Sequence, residues 1–128
     1  MFNFSDYDYV VDAVDTVAAK LSLIEEAEKT GTRIISSMGA GNKLDATLFR
    51  VADIYSTSVD PLARVIRTEC RKRGIRKLKV VYSTEKPITP LFTEETSSRR
   101  STPASIAFIP SVCGLIIAGE VIKDLINQ

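Results

Sequence analysis

Two carboxylates, Asp12 and Asp15, stand three residues apart in the stretch Val10-Val11-Asp12-Ala13-Val14-Asp15-Thr16-Val17-Ala18-Ala19-Lys20. A β-branched apolar run precedes them and a helical pattern follows. Carboxylates at such a junction can hold a divalent cation through hard oxygen ligands, or can cap the helix. Lys20, one turn into the helix, could neutralise a phosphate or stand solvated on the polar face. A second stretch, Gly39-Ala40-Gly41, follows Ser36-Ser37-Met38. Glycines there let the backbone approach a ligand closely, or simply turn the chain. In a third stretch, residues 64–79, Arg64, Arg67, Arg71, Lys72, Arg73, Arg76, Lys77 and Lys79 put eight cations in sixteen residues, against Glu69 alone. Such a run is either a solvated face or a surface for nucleic-acid phosphates. With no aromatic residues interleaved, it would contact backbone rather than stack on bases.

These residues need elements to position them. Residues 7–14 read as a strand, residues 16–29 as a helix with Val17, Leu21, Ile24 and Ala27 in an apolar stripe, and residues 33–38 as a second strand. Strand, helix and strand over about thirty residues form a βαβ unit, which calls for parallel strands. Residues 47–53 read as another strand. Asp60 and Pro61 open a second helix to residue 73, with Leu62, Val65, Ile66 and Cys70 facing inward. Residues 77–83 are a strand. Residues 84–103, rich in Ser, Thr, Pro and charge, read as a mobile loop, and residues 104–109 as an extended entry. A final apolar helix covers residues 110–126, where Gly114 and Gly119 leave room for a close neighbour. The whole chain, residues 1–128, reads as one α/β domain.

The bulk properties exclude several function classes. Net charge is +1, so any nucleic-acid surface is local. The chain has no histidine, which removes the commonest general base, the commonest zinc ligand and any Ser-His-Asp triad. Cys70 and Cys113 form no paired motif, as in a reducing compartment, and their helical and apolar settings imply inert thiols. No basic-then-apolar leader follows Met1, and the longest apolar run, interrupted by Pro110, is too short to cross a bilayer. The expectation is a cytoplasmic protein with no membrane partner. Neither GxGxxG nor GxxxxGK[ST] occurs. Either nucleotide phosphates are not bound, or the half of the fold that cradles them is not in this chain.

Taken together and in this order, residues 10–24, 33–47, 51–67 and 77–87, followed by Ser105-Ile106-Ala107-Phe108-Ile109-Pro110-Ser111, resemble the ThiF/MoeB/HesA-type adenylating enzymes. Within that ubiquitin-activating-enzyme-like family they are most similar to the tRNA threonylcarbamoyladenosine dehydratase branch. The likeness is to the C-terminal half, so it implies a truncated product or expressed fragment with a partial Rossmann-like fold. That fold has a mixed sheet with flanking helices and lacks the N-terminal ATP-loop half. It also implies ATP and Mg2+ as cofactors, tRNA as partner and a homodimer. The implied reaction is adenylation of the threonyl carboxylate of the modified adenosine, then ring closure by the neighbouring carbamoyl group. Asp15 takes the place of the family's metal- and ATP-coordinating aspartate. Thr16, Lys20, Gly39 and Gly41 fall around the nucleotide, and Arg64, Arg67, Arg71, Lys72 and Arg73 face tRNA. Asp12 falls to the scaffold. One departure is Asp45-Ala46-Thr47, where the family pattern has Asp-Pro-Thr. The isolated chain is expected to lack ATP turnover and to self-associate through an uncovered edge. The alternatives are an adenylating enzyme for a ubiquitin-like or sulfur-carrier protein, and a non-catalytic module that binds tRNA or a partner.

Overall fold

A computed structural model describes residues 3–39, 43–86 and 108–127. Its main elements are β1 (Tyr9–Asp12), α1 (Val17–Thr30), β2 (Arg33–Ser37), β3 (Phe49–Asp53), α2 (Pro61–Lys72), β4 (Lys79–Ser83) and α3 (Phe108–Ile126). The strands form one sheet in the order β1-β2-β4-β3. β1 and β2 run parallel, as the βαβ spacing requires, and β2 and β4 are parallel too. β3 lies antiparallel to β4 and makes the sheet mixed.

Side-chain alternation divides the core between the two faces of the sheet. Val80 and Tyr82 of β4 pack with Leu21 and Ile24 of α1 and Ala63, Ile66 and Cys70 of α2. Val81 and Ile35 point the other way and pack with Ile109, Cys113 and Ile117 of α3. The result is three layers, with α1 and α2 on one face and α3 on the other.

Local chemistry sets the helix ends. Gly31 adopts the left-handed conformation (φ 71°) after α1, and Thr32 N–H reaches back to the Ala27 carbonyl at 3.0 Å. Gly74 repeats this after α2 (φ 72°), with Ile75 N–H on the Cys70 carbonyl at 3.0 Å. Both are Schellman closures, which favour glycine because it adopts this conformation without a Cβ penalty. Pro61 and the Asp60 carboxylate start α2, Asp60 accepting the Ala63 N–H at 2.8 Å.

Several expectations need correction. The cap of α1 is Thr16, whose hydroxyl accepts the Ala19 N–H at 3.2 Å, and not Asp15. β1 covers Tyr9–Asp12 rather than residues 7–14, so Asp15 lies beyond the strand end. On α2 the inward residues are Ala63, Ile66 and Cys70, while Val65 is exposed. Residues 108–109 belong to α3 rather than to an extended entry. Among the described residues, a Cβ built on Gly114 or Gly119 meets open space. The start of the expected loop is anchored: Thr84 donates to the Leu48 carbonyl through its N–H (2.9 Å) and its hydroxyl (3.0 Å). Residues 87–107, which include most of the expected 84–103 loop and residues 104–107 of the expected extended entry, lie outside the described residues. No helix among the described residues is long and apolar enough to cross a membrane.

Candidate active site

The C-terminal ends of β1 and β2 open into a cleft of about 420 Å³. It is lined by Ala13, Val14 and Asp15 after β1, by Lys20, by Ser37, Met38 and Gly39 at the exit of β2, by Leu62 of α2, and by Pro110, Cys113, Gly114 and Ile117 of α3. In parallel sheets ligands bind outside the carboxyl ends of the strands. The volume falls in the range of small-molecule sites, on the order of 300–1,000 Å³. A larger groove of about 1010 Å³ opens at the other end of the sheet, around Tyr9, Arg33, Lys79 and Asp124. There the parallel strands begin, and the polar groups are engaged in holding α3.

Two buried ion pairs underlie the cleft. Asp12 and Lys20 are 0 % and 1 % exposed. The Lys20 ammonium donates to Asp12 Oδ2 (3.1 Å), to the Ser37 carbonyl (2.5 Å) and to Ser36 Oγ (3.5 Å). An ammonium has three protons, and these three acceptors take them all. Asp12 is equally engaged: Oδ2 also accepts the Ser36 hydroxyl (2.5 Å), and Oδ1 accepts the Val14 N–H (3.1 Å). Lys20 is therefore not a solvated lysine. Its charge is matched inside the fold.

Lys43 and Asp60 repeat the pattern. Lys43 Nζ donates to Asp60 Oδ1 (2.9 Å) and to the Gly39 carbonyl (3.2 Å), while Asp60 Oδ2 caps α2. Both side chains are buried. Just before Asp60, Val59 sits at φ 70°, with Asp60 N–H on the Ser58 carbonyl at 2.7 Å. This is a γ-turn of the rare, strained kind, on a β-branched residue. Glu85 completes the surround, its carboxylate accepting the N–H groups of Leu44 (2.9 Å) and Asp45 (2.9 Å). Lys43, Val59 and Glu85 were not singled out in the sequence. Lys20 carried a signal: it shares a helix face with Ile24 and Ala27, four and seven residues on, and that face is the buried one.

Against this engaged background Asp15 stands apart. It is exposed on the cleft rim, and with Thr16 as the cap its carboxylate is not needed to start α1. Thr16 is also exposed, its hydroxyl accepting the Ala19 N–H. Gly39 is at the cleft floor, and a Cβ built there would meet Asp60 Oδ1 at 3.5 Å and Leu62 Cβ at 3.9 Å, ordinary contacts. Its own neighbours do not demand glycine. Gly41 lies outside the described residues. No group of three His, Cys, Asp or Glu able to hold a metal occurs among the described residues. Asp15 fits a magnesium ion bound mainly by phosphate oxygens and water, the usual arrangement for that ion. Lys20, which lines the cleft, and Lys43 are both ion-paired within the fold.

The cysteines are buried. Burial raises the Cys70 thiol to about 11, and burial also raises Cys113, partly offset by its hydrogen bond with Ser37. Both are poor nucleophiles at neutral pH.

The basic face of α2 is partly tied down. Arg67 donates to the Thr57 carbonyl (3.2 Å) and hydroxyl (2.7 Å). Arg71 stacks over the Tyr55 ring at 5.6 Å. Arg73 pairs with Glu69 and with Glu25 of α1, and Lys72 reaches Glu69 at 3.5 Å. Arg64 is exposed. Lys79 pairs with Glu120 (2.8 Å) and Asp124 (2.9 Å) of α3. Counter-charges remote in sequence thus answer two of the eight cations, Arg73 and Lys79.

No family model matches the chain. The tRNA threonylcarbamoyladenosine dehydratase of Bacillus subtilis is 45% identical, over 98% of this chain and 54% of the relative. The Haemophilus influenzae protein of the same name is 32% identical over 95% of this chain and 52% of its own length. Among solved structures, the Escherichia coli dehydratase in complex with ATP superposes with a TM-score of 0.81 at 24% identity, over 98% of this chain and 52% of that one. The chain spans about half the length of the relatives it matches. Sequence and fold together make it a homologue of the ThiF-family tRNA threonylcarbamoyladenosine dehydratases.

Proposed function

We propose that this chain forms part of the catalytic unit of an ATP-dependent tRNA dehydratase, and that the cleft beside Asp15 receives the Mg2+–ATP phosphates. The 45% identity to the Bacillus subtilis dehydratase over nearly the whole chain carries this reading. The cleft's place at the carboxyl ends of β1 and β2 supports it. The reaction is activation of the threonyl carboxylate as its adenylate with loss of pyrophosphate, then attack by the neighbouring carbamoyl group with loss of AMP. Ring closure with net loss of water results. Mg2+, when bound, neutralises phosphate charge during the first step. Asp15 offers the carboxylate that would hold it. Gly39 leaves the floor open to the nucleotide. The reaction is carried by proximity of two groups on one substrate, so it needs neither a histidine base nor a thiol.

Binding of the tRNA backbone falls to α2. Arg64 and Lys72 are exposed there, and the Arg71 guanidinium, though over Tyr55, makes no ion pair among the described residues. Arg67 and Arg73 contribute less, being held by Thr57, Glu69 and Glu25. A homodimer belongs to the same proposal.

The test is Asp15→Ala in the protein that carries this chain. Cyclisation is expected to be abolished while tRNA binding, measured by gel shift, stays within about twofold. Full cyclisation activity in that variant would overturn the assignment. Because Thr16 is the cap of α1, loss of activity is not explained by loss of a helix start.

A further inference from the structure

The two buried pairs share a geometry that the proposed reaction does not itself require. In each, one carboxylate oxygen takes a lysine and the other takes a backbone N–H of the segment that follows: Val14 for Asp12, Ala63 for Asp60. In each, the lysine also reaches a carbonyl at the exit of β2: Ser37 for Lys20, Gly39 for Lys43. The three-residue floor of the cleft is thus held at both ends by buried ammonium groups, one from α1 and one from the 43–45 segment. Through Asp12 and the Val14 amide, the first pair also fixes the turn that presents Asp15.

We propose that Lys20 and Lys43, with Asp12 and Asp60, are positioning residues that set the floor and the Asp15 wall of the cleft, and that neither lysine touches the ligand. The proposal rests on the reading of the cleft as a Mg2+–ATP site. Buried charges favour such a role. Removing one partner strands the other, and so the pair tolerates few alternative arrangements of the backbone it holds.

The experiment uses the full protein and the double variant Asp12→Asn/Lys20→Met, which removes both charges and strands neither. Titration calorimetry with ATP and Mg2+ is paired with amide hydrogen exchange at Val14. The expected result is about tenfold weaker Mg2+–ATP binding, a higher Mg2+ concentration for half-saturation and at least tenfold faster exchange at Val14. The melting temperature should stay within a few degrees. Lys20→Arg should restore part of the affinity. If the double variant does not fold, Ser36→Ala, which drops one hydroxyl from the same carboxylate, should shift affinity and Val14 exchange about threefold in the same directions. A folded variant with unchanged affinity and unchanged exchange would overturn the proposal. Wild-type protein that fails to bind Mg2+–ATP would overturn the nucleotide reading alone. Val14 exchange would then still decide whether the pair holds the turn.

Discussion

The two ends of the sheet carry similar numbers of charges and use them differently. At the carboxyl end of β1 and β2, Lys20–Asp12 and Lys43–Asp60 are buried, and each pair holds backbone. At the opposite end, Lys79, Glu120 and Asp124 are partly exposed and hold a helix. Tyr9 donates to Asp124 at 2.6 Å, and Arg33 reaches the Asp124 carbonyl at 3.0 Å while stacking on the Tyr9 ring. Burial, then the Asp124 hydrogen bond, raises the Tyr9 hydroxyl to about 12. A screened network can flex and fasten a helix. A desolvated pair cannot be rearranged cheaply, and is suited to fixing a loop beside chemistry. The larger groove is therefore at the fastening end, and the smaller cleft is the better candidate for catalysis.

The contrast is sharpest when a single polar group is removed from each end. Lys20→Met or Lys43→Met strands a buried aspartate and is expected to cost about 3–5 kcal/mol in urea unfolding. At the other end Tyr9→Phe loses one half-buried hydrogen bond, about 1 kcal/mol. Equal costs would erase the distinction. Val59→Gly should act in the opposite sense. Relief of the γ-turn strain outweighs the entropy of glycine and raises stability by about 1 kcal/mol.

Acid separates the ends in another way. The Tyr9 hydrogen bond, then Lys79, hold Asp124 below its ordinary 3.8, and Lys123, then Lys79, hold Glu120 below its ordinary 4.5. Carboxyls with lowered folded values stabilise the fold above their ordinary values. They lose that contribution as pH falls through the folded ones. Amide protection in the last turns of α3, taken relative to the intrinsic exchange rate at each pH, should fall below pH 4 in the wild type, and the acid dependence should flatten in Asp124→Asn. The smallest effect on stability is expected for Gly39→Ala, within about 0.5 kcal/mol, since the added Cβ meets only ordinary contacts. Its Mg2+–ATP affinity should nevertheless fall. Unchanged affinity would place the nucleotide away from this floor.

The βαβ unit, the α1 stripe and the Asp60-Pro61 helix start were legible because each depends on neighbours within a few residues. What holds the cleft was not. Lys20 and Lys43 are lysines, the residues least expected inside, and their partners lie eight and seventeen residues away. The strain at Val59 has no composition cue. The basic run looked unopposed because Glu25, Glu120 and Asp124 meet it only after folding. Asp15 was legible as a candidate through the family resemblance. Its separation from the helix cap needed the structure, since Asp15 and Thr16 are both good caps by type.

In the proposed site the exposed carboxylate of Asp15, and not the buried charges around it, meets the metal–nucleotide. Calorimetric titration of wild-type and Asp15→Asn protein with ATP, at several Mg2+ concentrations, tests it most directly. Asp15→Asn is expected to bind at least tenfold more weakly in the Mg2+-dependent mode, with the melting temperature unchanged within a degree or two. Identical affinity and identical Mg2+ dependence in the two proteins would contradict it.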